Sequence, residues 1–310
     1  MITLKTHRFR LEGENLTGTK VNSLLLRNFL DLLVEGSRRA ARLRFEGRST
    51  KKGTPPAWLN DAASFDIELK PGSTIVETSE PTFGEALKEH RWQQDLFNLT
   101  PQPNETAVEL LVAGLADASC GKMDSDLYDN GLIEVFEGLG PVFGMGVRRI
   151  SIENGGAVGE VLPASVTTIE NLREKTPPPQ QIRIAGKLDT IKHSDRMFVL
   201  VLETGQAIKG LAEEIDENSL ANLWGQKAVI SGIGVFKPDG KLLRIEADHI
   251  KPAGADYEIW SVLPSPVGRQ LDTASLSRPQ GPRSGVAAIL GKIPAEETDK
   301  EFIKAVEELS

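Results

Sequence analysis

Between positions 21 and 35 (VNSLLLRNFLDLLVE) apolar residues recur three and four apart, which predicts a helix with Gly36 as its stop. The spacing then changes. Residues 39–46 (RAARLRFE) alternate Ala41, Leu43 and Phe45 against Arg42, Arg44 and Glu46, the two-residue period of a strand with one buried face. Residues 64–69 and 73–78 predict two further strands around a turn at Lys70-Pro71-Gly72, giving a meander with flanking helices. A helix opened by Asn104 is expected over 104–118, then a strand over 147–152 and a helix over 165–175. Residues 1–175 therefore read as one α+β domain of mixed helices and meander strands.

Thr176-Pro177-Pro178-Pro179-Gln180 marks a boundary, because three successive prolines remove backbone donors and hold the chain extended. Beyond it strands are expected at 181–191, 196–203, 207–211, 228–236 and 242–250, with an Asp-capped helix at 216–223 between the third and fourth. The order strand, strand, strand, helix, strand, strand resembles that of the OB-fold, and implies a small OB-like β-barrel over 181–252. Residues 253–290 contain LPSPVGRQLDTASLSRPQGPRSG, rich in Ser, Pro, Gly and Arg and poor in anything to bury, so a disordered linker is expected there.

The pattern becomes helical again at the end of the sequence, in residues 291–310 (GKIPAEETDKEFIKAVEELS). Thr298 followed by Glu301 is a capping box, and Phe302, Val306 and Leu309 recur at i, i+4 and i+7 beside Ile303. About twelve residues do not hold a helix in water unaided, so the stripe needs a surface to bury against. That surface is either the chain's own domains, reached across the long linker, or a groove on another protein.

Composition narrows the chemistry. The 310 residues contain one cysteine, Cys120, and four scattered histidines, a set that provides no internal disulfide and no metal-ligand spacing, so no cofactor is expected. No apolar run suits a membrane span and the start has no secretory h-region, which predicts a cytoplasmic protein. A net charge of -8 disfavours a surface that embraces nucleic acid as a whole.

The glycine-dense 138–146 stretch lacks the preceding strand and following helix of a dinucleotide site, and reads as a loop between helix and strand. Asp124, Asp126 and Asp129 fall short of a calcium loop, with Tyr128 and Val135 at ligand positions, and read as a solvated turn and helix cap. Cys120 reads as a buried, inert thiol and the barrel aromatics Phe198, Trp224 and Phe236 as core. The basic run 38–52, with Arg38, Arg39, Arg42, Arg44 and Arg48, is the candidate nucleic-acid contact, its competing reading being a solvated edge strand. No acid–base pair or nucleophile elbow emerges, and an enzyme is not expected.

The ending 291–310 resembles the C-terminal tails of type II antitoxins whose toxins are PIN-domain ribonucleases, with Ile293 where those tails carry an aromatic residue and Ala295 where they carry glycine. The resemblance implies that the tail binds and neutralises such a toxin. Ile293, Phe302, Ile303, Val306 and Leu309 would face the partner, and Lys292 or Arg283 would offer a basic group to its acidic site.

Overall fold

The computed structural model describes residues 4–13, 16, 20–70, 74–88, 90, 101–154, 157–192, 196–254 and 257–266. These lie within a single compact unit, Met1–Arg269. Inside it sit two hydrophobic cores, one built from residues 9–172 and one from residues 182–247.

The first core lies between an antiparallel sheet and a layer of helices. Strands β1 (Leu4–Gly13), β2 (Asp66–Lys70), β3 (Thr74–Pro81), β4 (Val147–Asn154) and β5 (Ala157–Val161) are ordered β2-β3-β1-β4-β5. The expected meander is thus interrupted, because the first strand of the chain enters between β3 and β4. In β1, Arg8 and Arg10 are exposed while His7, Phe9 and Leu11 are buried, the alternation of a half-buried strand. Register places Phe9 between Val76 and Ile152, so three buried side chains form one row across the sheet. On the other face Arg8 pairs with Glu77 at 2.6 Å.

Helix α1 (Ser23–Glu46) is the largest correction to the sequence reading. It begins at Asn22, whose side chain accepts from the amides of Leu24 and Leu25, and it runs through Gly36 without stopping. Gly36 serves packing: a Cβ there would lie 2.6 Å from a Leu111 methyl on the helix Ala107–Ser119, so the missing side chain lets two helices approach closely. Termination comes at Gly47, in the left-handed region at φ 73°. Residues 39–46 are therefore helical. Ala40, Ala41, Leu43 and Phe45 are all buried, Leu43 beside Met197 and Lys209 of the barrel and Phe45 against the rings of Trp58 and Phe83, so the apparent two-residue period arises from burial on more than one side of the helix. Phe45 meets Phe83 edge-on at 5.2 Å and Trp58 at 5.0 Å.

The remaining helices are α2 (Ala57–Ala62), α3 (Phe83–Ala86), α4 (Ala107–Ser119), α5 (Asn130–Glu137), α6 (Leu139–Gly144) and α7 (Pro163–Lys175). Helix α4 starts later than expected, with Thr106 rather than Asn104 as cap: Thr106 Oγ1 accepts from Glu109 N and Glu109 Oε2 accepts from Thr106 N. The glycine-dense stretch is largely α6, since Pro141 stands early enough in the helix for its missing donor to cost nothing. A buried polar cluster ties the sheet to α4. His7 Nε2 is 3.2 Å from Glu80 Oε1, which also accepts from Val108 N at the positively polarised start of the helix.

The second core fills a closed five-stranded barrel, ordered β10-β8-β7-β6-β9. Its strands are β6 (Gln180–Lys192), β7 (Met197–Val201), β8 (Ala207–Leu211), β9 (Lys227–Phe236) and β10 (Leu242–Pro252), with only β8 and β10 pairing in parallel. Helix α8 (Glu217–Asn222), capped by Asp216, contributes Leu220 to the barrel core. A 3-10 turn, Tyr257–Trp260, follows β10. Among the described residues no helix is long and apolar enough to cross a membrane.

Candidate functional site

The charged features singled out in the sequence meet where the α+β body contacts the barrel. The C-terminal end of α1 and the segment after it approach β7 and β8, and the 122–129 loop approaches β10 and the hairpin turn 237–241. Gly47 lies beside Met197 and Leu211, near enough that a Cβ would be 3.2 Å from the Met197 methyl.

The contact is a lattice of opposite charges. Arg48 and Lys51, from the basic run, both donate to Glu213 of the barrel. In the other direction Lys237 of the barrel pairs with Asp126 at 2.8 Å and donates to the carbonyl of Asp124 at 2.9 Å. Arg244 on β10 donates to Asp129 at 3.2 Å and to Glu246 at 3.0 Å. Asp129 meanwhile caps α5 by accepting from Gly131 N and Leu132 N, and accepts from Ser49 N at 3.1 Å. One carboxylate thus joins three segments. The expected solvated turn and helix cap is a cap, but Asp129 is buried and bridged to the barrel.

Electrostatics follows from these pairings. Burial alone would raise the Glu213 carboxyl, but hydrogen bonds from Lys51 and Arg48 outweigh it and hold the group below its usual value. Glu46 moves the other way, because desolvation exceeds the pull of Arg42, Lys51 and Arg48. On β8, burial lowers Lys209, with Asp126 opposing and Arg44 and Lys237 reinforcing.

The five arginines of the candidate nucleic-acid site are accordingly dispersed. On a helix Arg42 and Arg44 are turned about 200° apart, where a strand would have put them on one face. Arg38 donates to Asn60 at 3.2 Å, and Arg39 to Glu35, Glu134 and the Gly131 carbonyl. Arg42 lies 3.4 Å from Glu46 and is buried. Arg44 turns into a recess between α1 and β8, which Lys209 shares.

Two smaller expectations also change. Cys120 is exposed, at the end of α4, where the row of apolar neighbours suggested burial. Phe198 and Phe236 are core residues as expected, but Trp224 is 67% exposed, its indole donating to the Asp189 carbonyl at 2.8 Å. Nearby on β6, Arg183 stacks 4.8 Å from the Trp260 ring centroid. The described residues hold no group of three or more His, Cys, Asp or Glu side chains suited to a metal ion. Lys292, Ile293, Phe302, Ile303, Val306 and Leu309, with Arg283, lie outside the described residues.

No family model, curated protein or solved structure matches the chain. Lys209, Glu213, Lys237 and Arg244 did not stand out in the sequence. The available signal was the coexistence of a basic run at 38–52 and an acidic run at 124–129 in one chain, each a counter-charge for something.

Proposed function

We propose that the protein is an antitoxin-like binder that neutralises a PIN-type ribonuclease in the cytoplasm, using residues 291–310 as the docking segment. The observation that carries this reading is the tail itself: a capping box at Thr298 and Glu301 followed by the stripe of Phe302, Val306 and Leu309, in a sequence resembling the tails of such antitoxins. The body supports the reading indirectly. Four of the five arginines expected to contact nucleic acid are engaged by groups of the chain itself, which leaves the folded unit better suited to carrying a docking segment than to gripping phosphates. The decisive experiment is co-expression with a PIN-domain ribonuclease taken from the neighbouring gene. The full chain should co-purify with the ribonuclease and silence it, and a chain lacking residues 291–310 should do neither. Undiminished neutralisation by the shortened chain ends this reading.

A second reading has its own observation. The barrel, read as OB-like from its strand and helix order, has the exposed Trp224 beside one part of β6 and the partly exposed Trp260 stacked on Arg183 beside another, and single-stranded nucleic acid stacks on accessible rings in a basic groove. Fluorescence anisotropy with a labelled oligonucleotide separates the two readings. Binding that weakens steeply with salt and is lost in Trp224→Ala and Trp260→Ala favours the barrel.

A further inference from the structure

The recess between α1 and β8 has an unusual charge balance. Its walls are largely apolar, including Leu43, Leu110, Leu127 and Leu243, yet Arg44 and Lys209 both enter it. Neither has a hydrogen bond or ion pair among the described residues, and the buried Arg44 Nε has no acceptor. One carboxylate, Asp126, also lines the recess and attracts Lys209, but it is paired with Lys237 at 2.8 Å. Arg44 and Lys209 therefore share the recess with one carboxylate that a third cation already engages, an arrangement in which positive charge is in excess and donors stay unsatisfied. Elsewhere at the junction every cation named above has a partner on the opposite side, so the exception is local.

We infer that this recess binds a phosphoryl group, as inorganic phosphate or a small phosphate monoester, held between the Arg44 guanidinium and the Lys209 ammonium. The chemistry fits in three respects. A guanidinium presents planar paired donors that match two phosphate oxygens, while an ammonium supplies a point charge for a third. A dianion balances two cations, which a lone carboxylate does not. The apolar part of the lining lowers the local dielectric and strengthens both contacts. Because Arg44 belongs to the body and Lys209 to the barrel, the anion would also bridge the two, adding a contact to the junction that the free chain lacks. Burial lowers Lys209, and a bound anion would oppose that pressure. This site is independent of the docking segment.

The test is calorimetric titration of the full chain at low ionic strength with inorganic phosphate, methyl phosphate and acetate as separate probes. Saturable binding of phosphate or methyl phosphate is expected, with acetate at least tenfold weaker. A preference for free phosphate over methyl phosphate, or the reverse, identifies the natural source. Arg44→Gln and Lys209→Gln should each weaken binding at least tenfold, and Lys209→Arg should retain it. Should the glutamine variants fail to fold, trace acylation of wild-type lysines mapped by mass spectrometry decides: phosphate should protect Lys209 several-fold and leave the exposed Lys52 unchanged. No saturable binding, equal binding of acetate, binding unaltered in folded variants or absence of protection each overturns the assignment.

Discussion

Arg244 of the barrel and Asp129 of the α+β body meet at 3.2 Å with side chains only 9% and 5% exposed, so each helps the other tolerate burial. Removing one partner of a buried pair leaves an uncompensated charge, which costs about 3–5 kcal/mol. Asp129→Ala should show a loss of that size in urea unfolding, including the lost α5 cap, and Asp129→Asn should lose less because the amide oxygen still caps. The pair is not inherently stabilising, since well-packed apolar replacements of both members are often neutral. The double variant Asp129→Asn, Arg244→Met should therefore recover much of the loss. A loss under about 1 kcal/mol for Asp129→Ala would show that the bridge does not secure the junction.

Glu213 reports on the same boundary through pH. Although burial opposes it, the hydrogen bonds from Lys51 and Arg48 keep its folded carboxyl more acidic than the usual value of 4.5. The unfolded chain then binds more protons as pH falls, so Glu213 stabilises the fold above about 4.5 and loses that contribution as pH drops through the depressed folded value. With its side chain 36% exposed, solvent screening limits the gain to about 0.5 kcal/mol. Glu213→Gln should be slightly less stable than wild type at pH 7, with the two acid-unfolding profiles converging as pH falls through the depressed folded value. Parallel profiles across the acid range would show that the carboxylate is not differentially held.

The contrast between these junction residues and the barrel shows what the sequence carries. All five barrel strands and the Asp216-capped helix could be placed from alternation and turn residues, because each strand buries one face and its neighbours along the chain largely decide which. Helix α1 reads as a helix followed by a strand for a physical reason: Gly36 looks like punctuation until Leu111, 75 positions later, is known to fill the space beside it. Strand β1 did show the pattern, with Arg8 and Arg10 alternating against His7, Phe9 and Leu11, but its place in the middle of the sheet depends on pairing with strands about 70 and 140 residues away. The junction was least legible. Whether Arg48 faces water, a ligand or Glu213 is settled by packing between two distant parts of the chain, on which the charge run itself is silent.

Gly36 offers a direct check on the continuity of α1. A side chain there must displace Leu111 or push α4 away, and overpacking of a fitted core costs about 1–3 kcal/mol. Gly36→Val should lower stability by that amount, measured as a shift in the urea midpoint. Paired with Leu111→Ala it should lose less than the sum of the two single changes, because the smaller neighbour makes room. If α1 stopped at Gly36 instead, valine there would be tolerated and the double variant would be additive.

Within the proposed antitoxin reading, Phe302 is the largest apolar side chain of the docking stripe, and a buried aromatic anchor at an interface is worth about 2–4 kcal/mol. Phe302→Ala should weaken binding to the ribonuclease by about thirtyfold or more. Lys300→Ala, on the polar side of the helical pattern, should change it by less than about threefold. Equal effects of the two changes, measured by calorimetry on the same complex, would argue that no stripe is docked.

Lys209 supplies a second pH signature. Burial, helped by Arg44 and Lys237 and opposed by Asp126, lowers its folded value beneath the 10.5 of a free lysine. Between those two values the unfolded chain binds more protons than the folded one, so stability rises as pH rises. Below both, the full cost of a charged lysine in the recess is present. Lys209→Met removes the charge while retaining a flexible apolar stem, so it should be more stable than wild type near pH 7. The difference should shrink as pH climbs toward 10.5 and deprotonates the wild-type amine, and it should also shrink at pH 7 when saturating phosphate supplies the missing counter-charge. A gap that stays constant with pH would mean that Lys209 keeps its proton at no cost to the fold, with its charge already balanced from within the chain.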